Sequence, residues 1–65
     1  MIQSIGETAG KVYHALQSEG PLTLTRLKTS TGRDAFTLNA AIGWLAREDK
    51  IIVTKKGRSV TIALR

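Results

Sequence analysis

Residues 38–51 constrain the fold most strongly, because their apolar pattern predicts a helix that passes directly into a β-strand. The helical spacing i, i+3, i+4 and i+7 is occupied by Leu38, Ala41, Ile42 and Leu45. Asp34 lies four residues before this stripe, and its carboxylate can accept hydrogen bonds from the free N–H groups of a first helical turn. We therefore predict that Asp34 caps a helix whose apolar stripe packs against the rest of the fold.

The opposite side of this helix is unusual. At about 100° per residue, the positions opposite the stripe or beside it are Phe36, Asn39, Ala40, Gly43, Trp44 and Arg47. A solvent-facing helix side is normally polar, whereas this one is mostly apolar and small, so we expect it to contact another molecule. Packing within the protomer is the alternative for each aromatic residue. In this alternative Trp44 packs beneath the C-terminal hairpin, which we favour for this residue. Phe36 correspondingly covers the junction with the preceding helix.

The length of the chain limits the size of its core. Sixty-five residues predict one domain, 1–65, that buries only about 60% of its unfolded surface. There is no cysteine, so neither disulfides nor thiolate–metal bonds can supplement the core. Oligomerisation is a common stabiliser of such small chains, and we expect a homodimer.

The first helix is predicted over residues 2–18. Its apolar face comprises Ile2, Ile5, Ala9, Val12, Tyr13 and Leu16. Gly6 and Gly10 interrupt the helix on one side, and we interpret them as sites of close packing within the domain.

The remaining elements follow in a simple order. Gly20-Pro21 ends the first helix, Leu22 allows a very short strand, and Thr23 caps a second helix over 24–31. After the third helix the apolar period changes to two, which predicts strands over 51–55 and 59–64, with residues 55–58 between them. The fold class is therefore α+β, three helices followed by a two-stranded hairpin.

This order resembles the winged helix-turn-helix, in which the third helix is the recognition helix and the hairpin is the wing. The segments Ala9-Gly10-Lys11-Val12 and Gly43-Trp44-Leu45-Ala46-Arg47-Glu48-Asp49-Lys50 resemble, more narrowly, a family of small stand-alone prokaryotic winged-helix proteins of unsettled function. The resemblance covers essentially the whole chain and implies DNA binding. One position departs from the common pattern. Arg33 follows the turn glycine where many such domains have an apolar residue, so either Phe36 seals the junction or the junction is looser.

The charge balance favours an anionic partner, since ten Lys and Arg oppose five Asp and Glu. We predict phosphate contacts from the hairpin tip and from the region of the second helix, by Lys55, Lys56, Arg58, Arg26, Lys28 and Arg33. Only Asn39 and Arg47 on the third helix are strong readers of base edges. An equally weighted alternative is that the basic tip is a solvated hairpin that discourages edge pairing.

These observations predict a small transcriptional or nucleoid-associated regulator that binds duplex DNA mainly through phosphates. The alternative is a protein-interaction or homodimerisation module that uses Phe36, Ala40, Gly43 and Trp44.

The residue inventory gives no support to catalysis. His14 is the single histidine, no cysteine is present, and the five carboxylates form no evident acid–base pair. We expect no enzyme, metal, cofactor or small-molecule substrate. No apolar run approaches the ~20 residues that span a bilayer, and no secretory signal is visible, so we expect a cytoplasmic protein.

Overall fold

The computed structural model describes the backbone of residues 2–65 and the side chains of residues 5–65. Met1 and the side chain of Ile2, which the periodicity predicts in the core, lie outside this part. The elements in chain order are α1 (Ile2–Glu19), β1 (Leu22–Thr23), α2 (Leu24–Thr31), α3 (Ala35–Arg47), β2 (Ile51–Lys56) and β3 (Ser59–Leu64). The predicted winged-helix architecture is confirmed, including the very short strand at Leu22.

The sheet is antiparallel and has β3 at its centre, in the order β1-β3-β2. Ile62 is the Cα partner of Leu22 on one side and of Val53 on the other. Lys56 pairs with Ser59, so the hairpin loop is only Gly57 and Arg58. Gly57 has a φ of 61°, which suits the first central position of a type II′ turn. Lys55 and Lys56, which the sequence places in the connection, therefore belong to β2.

The core lies where the helices meet the end of the sheet farthest from the hairpin tip. Its buried apolar residues are Ala9, Val12, Leu16, Leu27, Leu38, Ala41, Ile42, Leu45, Ile51 and Ile62. The predicted stripe of α3 is thus confirmed. Of the six residues of β2, all of them described, only Ile51 is buried. The hairpin consequently protrudes beyond the helical layer after its first residues.

Side chains cap both helices of the helix-turn-helix, as predicted. The Thr23 hydroxyl accepts a hydrogen bond from the Arg26 N–H at 3.2 Å, and the Asp34 carboxylate accepts one from the Thr37 N–H at 3.1 Å. Gly32 ends α2 in the left-handed region with a φ of 66°. Gly32 and Asp34 therefore mark the two ends of the turn between α2 and α3.

Phe36 does not cover the junction between α2 and α3, and Arg33 beside it is paired with α1. Phe36 is 68% exposed, so of the two alternatives the one in which it seals the junction is wrong, and a looser junction stays a prediction. Arg33 is half-buried, and its guanidinium lies 3.6 Å from the Glu7 carboxylate of α1. A long arginine side chain can cover apolar surface with its stem while its charged end reaches a distant partner. The Nε of Arg33 is buried and has no hydrogen-bond partner among the described residues.

The glycines of α1 face open space. A Cβ atom built at Gly6 or Gly10 would meet no atom within 4 Å. The interpretation that they allow close packing within the domain is therefore wrong. Gly10 instead lines an open cleft, with Leu45 of α3 and Lys50 among the other lining residues.

Asp34 links the stability of this fold to pH. Hydrogen bonds from the side chain of Thr37, and next from its backbone N–H, lower the pKa of Asp34 below its usual value of 3.8. A carboxyl group whose pKa is lower in the folded chain stabilises that chain in its ionised form. This contribution is present above about 3.8 and is lost as the pH falls through the lowered pKa.

We therefore expect Asp34→Asn, which keeps a capping oxygen but does not titrate, to lose less stability than the wild type between about pH 5 and pH 3. Urea unfolding at a series of pH values measures this difference. Glu48→Gln is the control, since this carboxylate caps no helix. Parallel curves for Asp34→Asn and the wild type would contradict a titrating cap.

Candidate nucleic-acid and protein contact surfaces

The hairpin tip is the most strongly basic part of the described surface. Lys55, Lys56 and Arg58 are all exposed, and none belongs to an ion pair among the described residues. Residues 51–65 contain no Asp or Glu, and Arg65 is paired with Asp49 at 3.1 Å. The tip therefore presents three uncompensated positive charges.

The register spreads these charges around the tip. Lys55 is opposite Val60, whereas Lys56 is opposite Ser59, and adjacent residues of a strand point to opposite faces. Arg58 lies in the loop itself. Cations consequently leave the hairpin from both faces and from its end, so the tip can meet phosphates on more than one side.

The cations near α2 are placed differently. Arg26 lies 3.8 Å from Glu19, and Arg33 reaches Glu7, so carboxylates of α1 partly neutralise both. Lys28 is exposed in the last turn of α2. Of the six cations predicted to contact phosphate, three therefore lie together at the tip. Two others, Arg26 and Arg33, are paired with carboxylates of α1.

The outer side of α3 is exposed, as its residue pattern indicates. Trp44 is 51% exposed, so our preference for packing beneath the hairpin is wrong. The reason is geometric, because β2 leaves the helical layer after Ile51. Gly43 is also exposed, and Ala40 is half-buried between Phe36 and Trp44 along the helix.

Two further apolar residues extend the exposed set beyond α3. Ile52 and Val53 of β2 are 46% and 45% exposed, and with Phe36 and Trp44 they complete the large exposed hydrophobics of the described chain. The period of two in the sequence groups Val53 with the buried Ile51, and neither Val53 nor Ile52 is predicted to be exposed. The signal was the unbroken run Ile51-Ile52-Val53, which places apolar side chains on both faces of a strand.

Few groups on α3 can read bases. Asn39 and Arg47 are exposed, but the other outer positions are apolar or glycine. Arg47 is the last residue of the helix, and recognition helices usually contact bases through their N-terminal part. The arrangement therefore suits contact with phosphates better than discrimination between base pairs.

The described part of the chain holds no group of three or more His, Asp or Glu side chains arranged for a metal ion. None of its helices combines the length and the apolar character needed to cross a bilayer.

A helix-turn-helix followed by a basic hairpin defines the class of winged helix-turn-helix proteins. The family described as "Winged helix-turn-helix domain (DUF2582)" matches residues 1–64, and the chain belongs to this family. An uncharacterised protein of Methanocaldococcus jannaschii is 44% identical, and the match covers 94% of this chain and 90% of the relative. No solved structure matches the chain. The resemblance inferred from the sequence is confirmed.

The open environment of Gly43 predicts an increase in stability on substitution. A Cβ at this position would meet nothing within 4 Å, so Gly43→Ala should stabilise an isolated protomer by up to about 1 kcal/mol. Gly32→Ala is the matched contrast and should destabilise by about 1 kcal/mol or more, because its φ of 66° strains an L-residue. Urea unfolding at low protein concentration measures both. A loss of stability in Gly43→Ala would contradict the conclusion that a Cβ at this position meets no other atom.

Proposed function

We propose that the protein binds duplex DNA, mainly through its phosphates, as a small transcriptional or nucleoid-associated regulator. The observation that carries the proposal is the hairpin tip, where three exposed cations have no carboxylate partner among the described residues. Membership of a winged helix-turn-helix family supports the same function.

The other cations contribute to different degrees. Lys28 and Arg47 are exposed and can add phosphate contacts without breaking an ion pair described here. Arg26 and Arg33 must first leave Glu19 and Glu7, so their net contribution is smaller.

Asn39 is the residue best suited to a base edge, by a bidentate contact with adenine. Binding of this kind has weak sequence preference and strong dependence on salt. It is a binding role and not a catalytic one.

The double variant Lys55→Ala, Lys56→Ala tests the tip directly. Each phosphate contact contributes about 0.9 to the slope of log K against log salt, so this variant should reduce the slope by about 2. Fluorescence anisotropy with a mixed-sequence duplex at several salt concentrations measures the change.

The charge-matched control is Lys11→Ala, Lys50→Ala, which removes the same charge from α1 and from the turn before β2. It should change the slope much less. An equal loss in both double variants would show that net charge alone drives binding. Failure of the wild type to bind at low salt would remove the proposal.

A second function, homodimerisation through the outer side of α3, is favoured by the exposure of Phe36 and Trp44. Aromatic residues are enriched at interface centres, and Ala40 and Gly43 leave room for a second helix to approach. A two-fold axis through this side would make the interface self-complementary. Such a dimer would carry two basic tips, so the two functions are compatible.

Ala40→Arg should convert such a dimer into a monomer, because it places a long charged side chain at the centre of the proposed interface. Ala46→Arg is the control, since Ala46 is also exposed on α3 but lies away from Phe36 and Ala40 around the helix. Sedimentation velocity over a range of concentrations separates the two results. A wild type that sediments as a monomer at high concentration would exclude this second function.

A further inference from the structure

A polar cleft separates the hairpin tip from the first turn of α2. It has a volume of about 190 Å³ and is lined by Thr23, Leu24, Thr25, Arg58, Ser59 and Val60. Its origin lies in the sheet register. β1 pairs with β3 at only two positions, Leu22 with Ile62 and Thr23 with Thr61. After Thr23 the chain turns into α2, whereas β3 extends beyond the end of β1 to the hairpin loop. A gap is left between the first turn of α2 and this part of β3.

The polar side chains of this cleft can all donate hydrogen bonds. Three are hydroxyls, on Thr23, Thr25 and Ser59, and the fourth is the guanidinium of Arg58. The Thr23 oxygen accepts from the Arg26 N–H, which leaves its own O–H free to donate outward. Within the described residues, no hydrogen bond or ion pair engages the side chains of Thr25, Arg58 or Ser59.

No carboxylate lines the cleft. The nearest acidic residue along α1, Glu19, holds Arg26 at 3.8 Å and does not reach the lining. The donors therefore surround a space that has positive charge and no carboxylate to neutralise it. That arrangement favours an anion, because the one charged group in the lining is the Arg58 guanidinium, and the hydroxyls beside it can donate to the same ligand.

We propose that this cleft binds one phosphoryl oxyanion. Arg58 would contact two oxygens through its planar fork, and the hydroxyls of Thr25 and Ser59 would donate to the others. The assignment also explains why the loop position carries arginine beside two lysines, since only arginine offers a bidentate geometry. With the proposed DNA binding, on which this inference rests, the anion is a backbone phosphate gripped between α2 and the hairpin tip. Free phosphate offers the same chemistry and is a separate arm of the test.

A double-mutant cycle with Arg58→Ala and Thr25→Val tests whether both side chains hold one anion. Arg58→Ala should reduce the salt slope for duplex binding by about 0.9, because one charged contact is lost. Thr25→Val keeps the shape of the side chain and removes one neutral donor. It should weaken binding by roughly three- to tenfold without changing the slope. The fold-loss of affinity in the double variant should be smaller than the product of the two single fold-losses. The reason is that both side chains hold the same phosphate, so losing one contact already weakens the other.

The matched control is Thr29→Val, one turn further along α2, where the hydroxyl donates to the Thr25 carbonyl at 3.3 Å and lies outside the cleft. It should leave duplex affinity unchanged. Thermal unfolding of every variant confirms that it is folded before binding is compared.

Amide chemical shifts of the wild type identify the occupant. Titration with the duplex, and separately with inorganic phosphate, should shift the resonances of Thr25, Arg58 and Ser59. If the duplex binds but those resonances stay still and the two losses multiply independently, the cleft proposal is overturned and DNA binding stands. If inorganic phosphate shifts them and the duplex does not bind at low salt in the anisotropy assay, the anion site stands and DNA binding is rejected. If phosphate shifts nothing and the duplex does not bind, both proposals fail.

Discussion

Burial of Ile62 is the interaction on which the other elements depend. This residue is fully buried at the centre of β3 and is paired with Leu22 on one side and Val53 on the other. Leu27 of α2 and Leu38 of α3 are buried to the same degree in the same cluster. A chain of 65 residues has little other apolar surface to bury, so the positions of the helices and of the hairpin are set together by this small core.

The small core also explains why the hairpin is available for binding. Only Ile51 of β2 is buried, and the remainder of the strand extends past the helices. The five acidic residues all lie before the hairpin, whereas its tip carries Lys55, Lys56 and Arg58. The buried core and the proposed phosphate contacts therefore lie in two different regions of the molecule. Substitutions at the tip can change affinity with little effect on the fold, since exposed side chains contribute little to packing.

The hairpin tip and α3 present different chemistry. The tip is charged and lined by hydroxyls on the side of α2, and it suits a phosphate backbone. The outer side of α3 exposes Phe36 and Trp44 around Ala40 and Gly43, and it suits an apolar partner. In winged-helix proteins the third helix is the usual reader of bases, but here its composition limits such readout to Asn39 and Arg47. A dimer joined through α3 with its tips free would reconcile the two surfaces.

Most of the fold could be predicted from the sequence, because the features that specify it are local. The stripe beginning at Leu38, the caps at Thr23 and Asp34 and the alternation in β3 depend on residues a few positions apart. The same holds for part of the candidate site. The basic tip and the apolar outer side of α3 follow directly from residue order.

The tertiary structure decided whatever depends on residues distant in the chain. It left Trp44 exposed because the hairpin leaves the helical layer after Ile51, and it left Phe36 exposed as well. It placed Arg33 beside Glu7 of α1. It also left Gly6 and Gly10 facing open space. The cleft between Thr25 and Ser59 belongs to this category, since no periodicity relates a first helical turn to the tip of a later hairpin. Side-chain spacing specifies which way a residue points, but only the packing of whole elements decides what it meets.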